Sequence, residues 1–225
     1  MLFRSLRSRS IDAVVIQAES FDAGLRLAIK RYDVMSFSTM AAAEWGMRTW
    51  QEGLEDSLGV PVTVAHNTQF LVGQYDPNPN PVSMKRYAME AFYRSMRVHF
   101  NVLLDNGTPC GGVWNLDREN RKRLPAHVRA PLSRAFEPNE LTRAAIGYVS
   151  TLPKGVGSVD GFDLPVTRAQ ALVALKEFLH HRLPDFGAYE DAMSERDGLL
   201  FHSRLAPLLN IGLLEPLELV RAAEA

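Results

Sequence analysis

Three prolines within five residues, in the run Tyr75-Asp76-Pro77-Asn78-Pro79-Asn80-Pro81, limit what this chain can build more than any other feature. Each proline removes a backbone donor and holds the residue before it in extended conformations, so neither a helix nor an inner strand can pass through. The run reads as a linker, and the sequence differs on its two sides. Before it, Ala13-Val14-Val15-Ile16 suits a strand buried on both faces, and residues 22–31 show helical spacing through Leu25, Leu27, Ala28 and Ile29. Residues 34–38 form a second strand candidate. A helix over 41–58 carries Trp45, Trp50 and Leu54, Gly59 stops it, and Val60-Pro61-Val62-Thr63-Val64 is a third strand. This β-α-β-α-β order with short connections implies a parallel sheet, half of a doubly wound domain.

Beyond the linker the spacing is helical. Tyr87, Met89, Phe92, Tyr93 and Met96 place an apolar stripe on a helix over 83–100 that needs a covering surface, with Glu90 four residues before Arg94. Asp105-Asn106-Gly107 is a turn, and Gly111-Gly112 permits positive φ. Thr167-Arg168-Ala169-Gln170 is a capping box opening a helix to about residue 182. Pro184 and Gly187 break the chain before a short helix over 189–193, and a helical stretch follows over 199–209. Pro216 suits the first turn of a last helix still running at Ala225.

Composition narrows the class. With 225 residues there is room for one large domain or two small ones, and 46% apolar against 23% charged residues excludes disorder and collagen-like repeats. The 25 Lys+Arg nearly balance 26 Asp+Glu, so any nucleic-acid site must be a local patch. Cys110 is the single cysteine, which rules out an internal disulfide, a four-cysteine zinc site and a self-contained iron–sulfur cluster, and fits a reducing, cytoplasmic setting. No uncharged apolar run approaches the roughly 18 residues of a membrane span. The basic, serine-rich opening lacks the apolar stretch of a secretory signal.

Few constellations carry chemistry. Arg118-Glu119-Asn120-Arg121-Lys122-Arg123 reads either as a solvated loop or as a phosphate-contacting patch, with Trp114 and Asn115 just before it, an aromatic beside a basic loop being able to stack on a base. His180-His181 are adjacent on a helix and diverge by about 100°, which fits the helix C-terminal dipole better than a metal. Glu190 and Asp191 diverge likewise and read as exposed charges. Gly155-Val156-Gly157-Ser158-Val159-Asp160-Gly161 is a loop with the wrong spacing for a dinucleotide fingerprint, and no G-x-S-x-G, H-E-x-x-H or P-loop is present. His202, Ser203 and Arg204, in contrast, enter the apolar segment 201–214 together. Either an anion meets them at a helix start, or Ser203 is an N-cap with exposed neighbours.

Four segments in register resemble the cryptochrome/photolyase family. They are Met89-Glu90-Ala91-Phe92-Tyr93-Arg94-Ser95-Met96-Arg97, Gly111-Gly112-Val113-Trp114-Asn115-Leu116-Asp117-Arg118-Glu119-Asn120-Arg121, Phe186-Gly187-Ala188-Tyr189-Glu190-Asp191-Ala192-Met193 and Phe201-His202-Ser203-Arg204-Leu205. The likeness runs from about residue 33 to 225 and points to the deoxyribodipyrimidine photolyase-related branch, which includes bacterial (6-4) photolyases. It implies an α/β fold followed by an all-α one. Residues 1–74 would be part of a doubly wound, Rossmann-like antenna domain, residues 75–165 a linker with connecting helices and loops, and residues 166–225 the start of a helical FAD-binding domain.

The same resemblance implies blue-light-driven repair, in which reduced FAD donates an electron to a pyrimidine dimer flipped out of DNA. The FAD-contacting positions would be Tyr189, His202, Ser203, Arg204, Leu205 and Asn210, and the DNA-contacting ones Arg118, Arg121, Lys122 and Arg123. Ala206 stands where the family has a second serine, which removes a phosphate hydrogen bond worth about 1 kcal/mol. No catalytic residue and no metal ligand is assigned. A lumazine-type antenna, UV-damaged DNA as partner and a monomeric state are expected. The [4Fe–4S] cysteines of this branch are expected beyond Ala225, and Cys110 is not one of them. The chain is about half the family's length, so it reads as a fragment inactive alone. The alternative is a cryptochrome-like light sensor or a non-catalytic nucleic-acid-binding relative.

Overall fold

A computed structural model describes residues 10–78, 88–153 and 156–225. The chain divides into two compact units, Met1–Gln74 and Tyr75–Ala225.

In the N-terminal unit, helix α1 (Phe21–Tyr32) starts where the Ser20 hydroxyl accepts from the Ala23 N–H at 3.1 Å. It ends on Asp33 in the left-handed region. Strand β1 (Phe37–Met40) pairs in parallel with β2 (Val62–Ala65), Phe37 opposite Val62 and Met40 opposite Ala65. The crossover between them holds two helices rather than the single one expected over 41–58, α2 (Trp45–Glu52) and α3 (Leu54–Leu58), which meet at Gly53. Gly59 closes α3 at φ 69°, as a stop glycine should. The strand expected at residues 13–16 does not form. A run of β-branched residues becomes a strand only against a neighbour, and here Val14 and Val15 stay 54% and 69% exposed. Among the described residues the parallel sheet has two strands.

Side-chain amides close the C-terminal end of that sheet. Gln51 is buried, and its amide donates to Met40 O (2.8 Å) and Thr39 Oγ1 (3.2 Å) while accepting from Ala42 N (2.7 Å). Asn67, also buried, donates to Ala41 O (2.7 Å) and accepts from Gln69 N (2.8 Å). Gly73 passes so close to Asn67 that a Cβ would lie 2.1 Å from its carbonyl oxygen.

The C-terminal unit begins its described helices with α4 (Met89–Phe100). The rest of the helix expected over 83–100, and part of the proline run, lie outside the described residues. The expected apolar stripe is only partly covered: Met89 is 77% exposed, and the residue this helix buries is Arg97. A two-stranded hairpin follows, β3 (Leu104–Asp105) and β4 (Thr108–Pro109), turning at Asn106 and Gly107, both at positive φ. Helix α5 (Glu140–Ser150), unassigned from sequence, is capped by the Asn139 side chain accepting from Thr142 N at 2.9 Å.

Helix α6 (Arg168–His181) carries the expected capping box of Thr167 and Gln170. Ala171, Leu175 and Phe178, spaced i, i+4, i+7, turn one face of α6 into a core completed by Leu205, Leu208 and Leu214. Each fully buried leucine there contributes about 2 kcal/mol. Helix α7 (Leu183–Tyr189) sits before the helix expected over 189–193, because Pro184 falls in its first turn, where a missing N–H costs nothing, and Gly187 is tolerated inside it. The helix expected over 199–209 is confined to α8 (Ala206–Asn210). Helix α9 (Pro216–Glu224) starts at Pro216 as expected and reaches Glu224. Among the described residues no helix is long and apolar enough to cross a membrane.

Candidate functional site

The segment expected as a helix before α8 is an irregular turn shaped by its own side chains. Asp197 Oδ1 accepts from the N–H groups of Leu199 (2.8 Å) and Leu200 (3.1 Å), which holds its carboxyl below the ordinary aspartate value. Leu200 and Arg204 then take left-handed φ values of 47° and 56°, incompatible with a helix. Ser203 Oγ accepts from Leu205 N at 3.3 Å, so the hydroxyl proton is left to donate elsewhere. Ser203 is not the N-cap of α8; Leu205 is.

Two arginines flank this turn. Arg182, at the junction of α6 and α7, is 6% exposed and among the described residues donates to neutral oxygens: His202 O at 3.1 Å, Pro131 O at 2.9 Å and Ser133 Oγ at 2.6 Å. Burial, and then the neighbouring Arg204, push its pKa below the usual guanidinium value. Arg204 Nη2 reaches Asp163 Oδ1 at 3.2 Å, and Asp163 O accepts from Phe136 N at 3.1 Å. A cavity of about 40 Å³ lies among Ser133, Asp163, Arg182, Ser203 and Arg204. It holds a water or two rather than a dinucleotide, so a larger ligand would lie across the turn from outside.

The remaining FAD candidates surround the turn unequally. Tyr189, the last residue of α7, stacks on Phe201 with ring centroids 5.4 Å apart, and His202 meets Phe186 edge-on at 6.3 Å. Asn210 is the last residue of α8. Leu205 as a whole residue is 2% exposed, its side chain in the core and its N–H on Ser203 Oγ, so it supports the turn from inside rather than facing a ligand.

The basic run lies beside Tyr189. Lys122 N donates to Ala188 O and Asp191 N to Asn120 O, both at 3.2 Å, which docks segment 120–122 against the end of α7. Arg121 pairs with Asp191 at 3.4 Å and Lys122 with Glu119 at 3.9 Å, while Arg118 and Arg123 are exposed. These exposed pairs are worth a few tenths of a kcal/mol, so an incoming phosphate can displace them. The His180 and His181 rings lie 6.4 Å apart between centroids, tilted by 58°, and His181 Nε2 is 3.9 Å from Glu177.

Sequence reasoning missed a second node. The Arg97 guanidinium donates to Val102 O (3.1 Å), Trp114 O (3.1 Å), Tyr93 Oη (3.2 Å) and Leu103 O (2.5 Å). The Trp114 ring faces both Arg94 and Arg97, at 5.3 and 5.1 Å from its centroid. Asn115 Nδ2 donates to Glu90 Oε2 at 2.8 Å, and Glu90 also pairs with Arg94 at 2.7 Å; these contacts lower the Glu90 pKa, Asn115 contributing most. The first two of the four family-like segments are therefore one structural piece. An open groove of about 940 Å³ runs from there past Leu116, Asp117 and Asn120 to Glu190. In the sequence Glu90, Arg94, Trp114 and Asn115 stood out, but nothing joined Trp114, seventeen positions beyond Arg97, to the arginines of segment 89–97.

Residues 4–164 match the family described as deoxyribodipyrimidine photo-lyase-related protein, and the chain belongs to that family. It is 33% identical over 208 residues to the (6-4) photolyase of Agrobacterium fabrum (strain C58 / ATCC 33970), an alignment covering 92% of this chain and 41% of that protein. The chain thus spans less than half the length of that relative, and the aligned part is long enough to take in the Ser203 turn.

Proposed function

We propose that this chain supplies part of a FAD-dependent, blue-light-driven photolyase-related protein that repairs (6-4) pyrimidine lesions in DNA. In this reading residues 1–74 belong to a Rossmann-like antenna domain, 75–165 to a connecting region and 166–225 to the start of the helical FAD-binding domain. The observation that carries it is the electrostatics of the Ser203 turn. Among the described residues buried Arg182 hydrogen-bonds only neutral oxygens, while Arg204 beside it is paired with Asp163. The Asp197 and Glu177 carboxylates act on Arg182 without a hydrogen bond, and an anion laid across the turn would give Arg182 the close counter-charge it lacks. The FAD diphosphate is such an anion. The Ser203 hydroxyl and the Arg204 guanidinium would hold it, with Tyr189 and Asn210 near the rest of the cofactor, while His202 and Leu205, whose N–H groups donate to Leu199 O and Ser203 Oγ, would shape the turn around it. Bound flavin supplies the light-driven electron; the residues of this chain bind and orient it.

Arg118, Arg121, Lys122 and Arg123 would meet DNA phosphates, with UV-damaged DNA as the partner. A lumazine-type antenna would belong to the N-terminal unit, and a [4Fe–4S] cluster to segments outside this chain. The protein would be a cytoplasmic monomer. The 225 residues alone are expected to bind FAD weakly and to show no repair.

FAD titration followed by flavin fluorescence tests the cofactor assignment. Ser203→Ala should weaken binding about 5- to 10-fold, the value of one ordinary hydrogen bond of about 1 kcal/mol. Equal affinity of the variant and the parent would remove Ser203 from the site. Replacing Arg118, Arg121 and Arg123 by alanine should weaken binding of an irradiated oligonucleotide and lower its salt dependence by about one unit of slope per lost phosphate contact.

A further inference from the structure

We infer that Arg182 is the positioning residue of the Ser203 turn, setting its shape by stapling it to the 131–133 segment. The inference rests on the reading of that turn as a dinucleotide cradle and adds a residue which that reading does not contain. One Arg182 guanidinium reaches the carbonyl of His202, twenty positions along the chain, and both the carbonyl of Pro131 and the hydroxyl of Ser133, about fifty positions back. The residue it grips on the turn immediately precedes Ser203. The backbone there has every reason to relax, because Leu200 and Arg204 are held at left-handed φ without the freedom of glycine. Asp197 fixes the entry of the turn through two N–H groups, and the core fixes its exit through Leu205. Between those points the contacts to other elements, among the described residues, are the Arg182 bond to His202 O, the Arg204–Asp163 pair, the ring contact of His202 with Phe186 and the stack of buried Phe201 on Tyr189, and of these the Arg182 bond alone holds the backbone next to Ser203.

A lysine could not do this work. An ammonium on a single stem cannot span three oxygens from two separate segments in the way a planar five-donor fork does. Charge and geometry are therefore separable. If Arg182 acted only by attracting an anion, lysine would serve as well as arginine. If it acts by shaping the turn, lysine and methionine fail alike.

The test compares Arg182→Lys, Arg182→Met and Ser133→Ala with the parent by hydrogen–deuterium exchange, and then by FAD titration. Exchange at residues 199–202 and at Phe136, whose N–H donates to Asp163 O, should accelerate together, about 10-fold or more in both Arg182 variants and less in Ser133→Ala, while α6 keeps its protection. FAD affinity should fall about 10-fold in both Arg182 variants and about 3-fold in Ser133→Ala. Parent-like exchange and affinity in Arg182→Lys would overturn the proposal in favour of charge alone. Should Arg182→Met not fold, Ser133→Ala still decides, since it leaves the core and Arg182 intact; unchanged exchange at both places would overturn the staple. Absence of FAD binding to the parent would sink the cofactor reading, whereas the exchange results would still stand for or against Arg182.

Discussion

The two units bury different kinds of side chain. In the N-terminal unit Leu54 is the fully buried hydrophobic among the described residues, α1 buries none, and the interior positions at the sheet end are the amides of Gln51 and Asn67. In the C-terminal unit α6 and the segments after it enclose Ala171, Leu175, Phe178, Leu205, Leu208 and Leu214. A parallel sheet is normally covered on both faces, and two strands with half-exposed valines beside them gain little from burial. The contrast teaches that stability is concentrated around the Ser203 turn, and that the first unit is defined more by hydrogen bonds than by apolar packing.

The largest expected effect is Phe178→Ala. It removes the one ring on the buried α6 face, which also meets Phe186 edge-on at 5.8 Å, and should cost about 4 kcal/mol. In urea the C-terminal unit should then unfold with a midpoint near or below that of the N-terminal unit, where in the parent it unfolds last. One shared transition at all wavelengths in the parent would break the comparison. Leu54→Ala should cost about 3 kcal/mol and move only the earlier transition. Gly59→Ala meets no atoms within 4 Å but must hold φ at 69°, so it should cost about 1 kcal/mol, again in the N-terminal unit alone.

The smallest effect is a pH dependence. Arg168 forks onto both carboxylate oxygens of Glu218, and this contact chiefly holds the Glu218 carboxyl below its ordinary value of 4.5. A lowered folded pKa means that the stabilisation is complete above the unfolded value and is lost as the pH falls through the folded one. Thermal melts between pH 6 and pH 3 should therefore drop more steeply for the parent than for Glu218→Gln. Parallel curves would remove the pair from the account of the C-terminal unit.

Elements with local end signals were legible. Thr167 with Gln170, Gly59 at positive φ and Pro216 in a first turn each mark a boundary through groups within a few residues, and the structure places all three there. Elements that depend on distant partners were not. Val14 and Val15 have strand chemistry without a strand neighbour among the described residues. The apolar pattern of 199–209 is helical on paper, but Asp197 captures the N–H groups of Leu199 and Leu200 and turns the chain the other way. The candidate site was legible in its motif residues, because serine, histidine and arginine amid leucines stand out. Arg97 and Arg182 were not, since their partners are chiefly main-chain carbonyls, which every residue carries, and no pattern of side-chain types reveals which ones an arginine will reach.

The central claim is that the Ser203 turn receives the charged bridge of a dinucleotide. Backbone amide chemical shifts of the isotopically labelled protein, followed through a titration with FAD, test it most directly. The account predicts that the largest shifts fall at residues 188–190 and 202–206. Shifts that saturate elsewhere while those amides stay in place would contradict it.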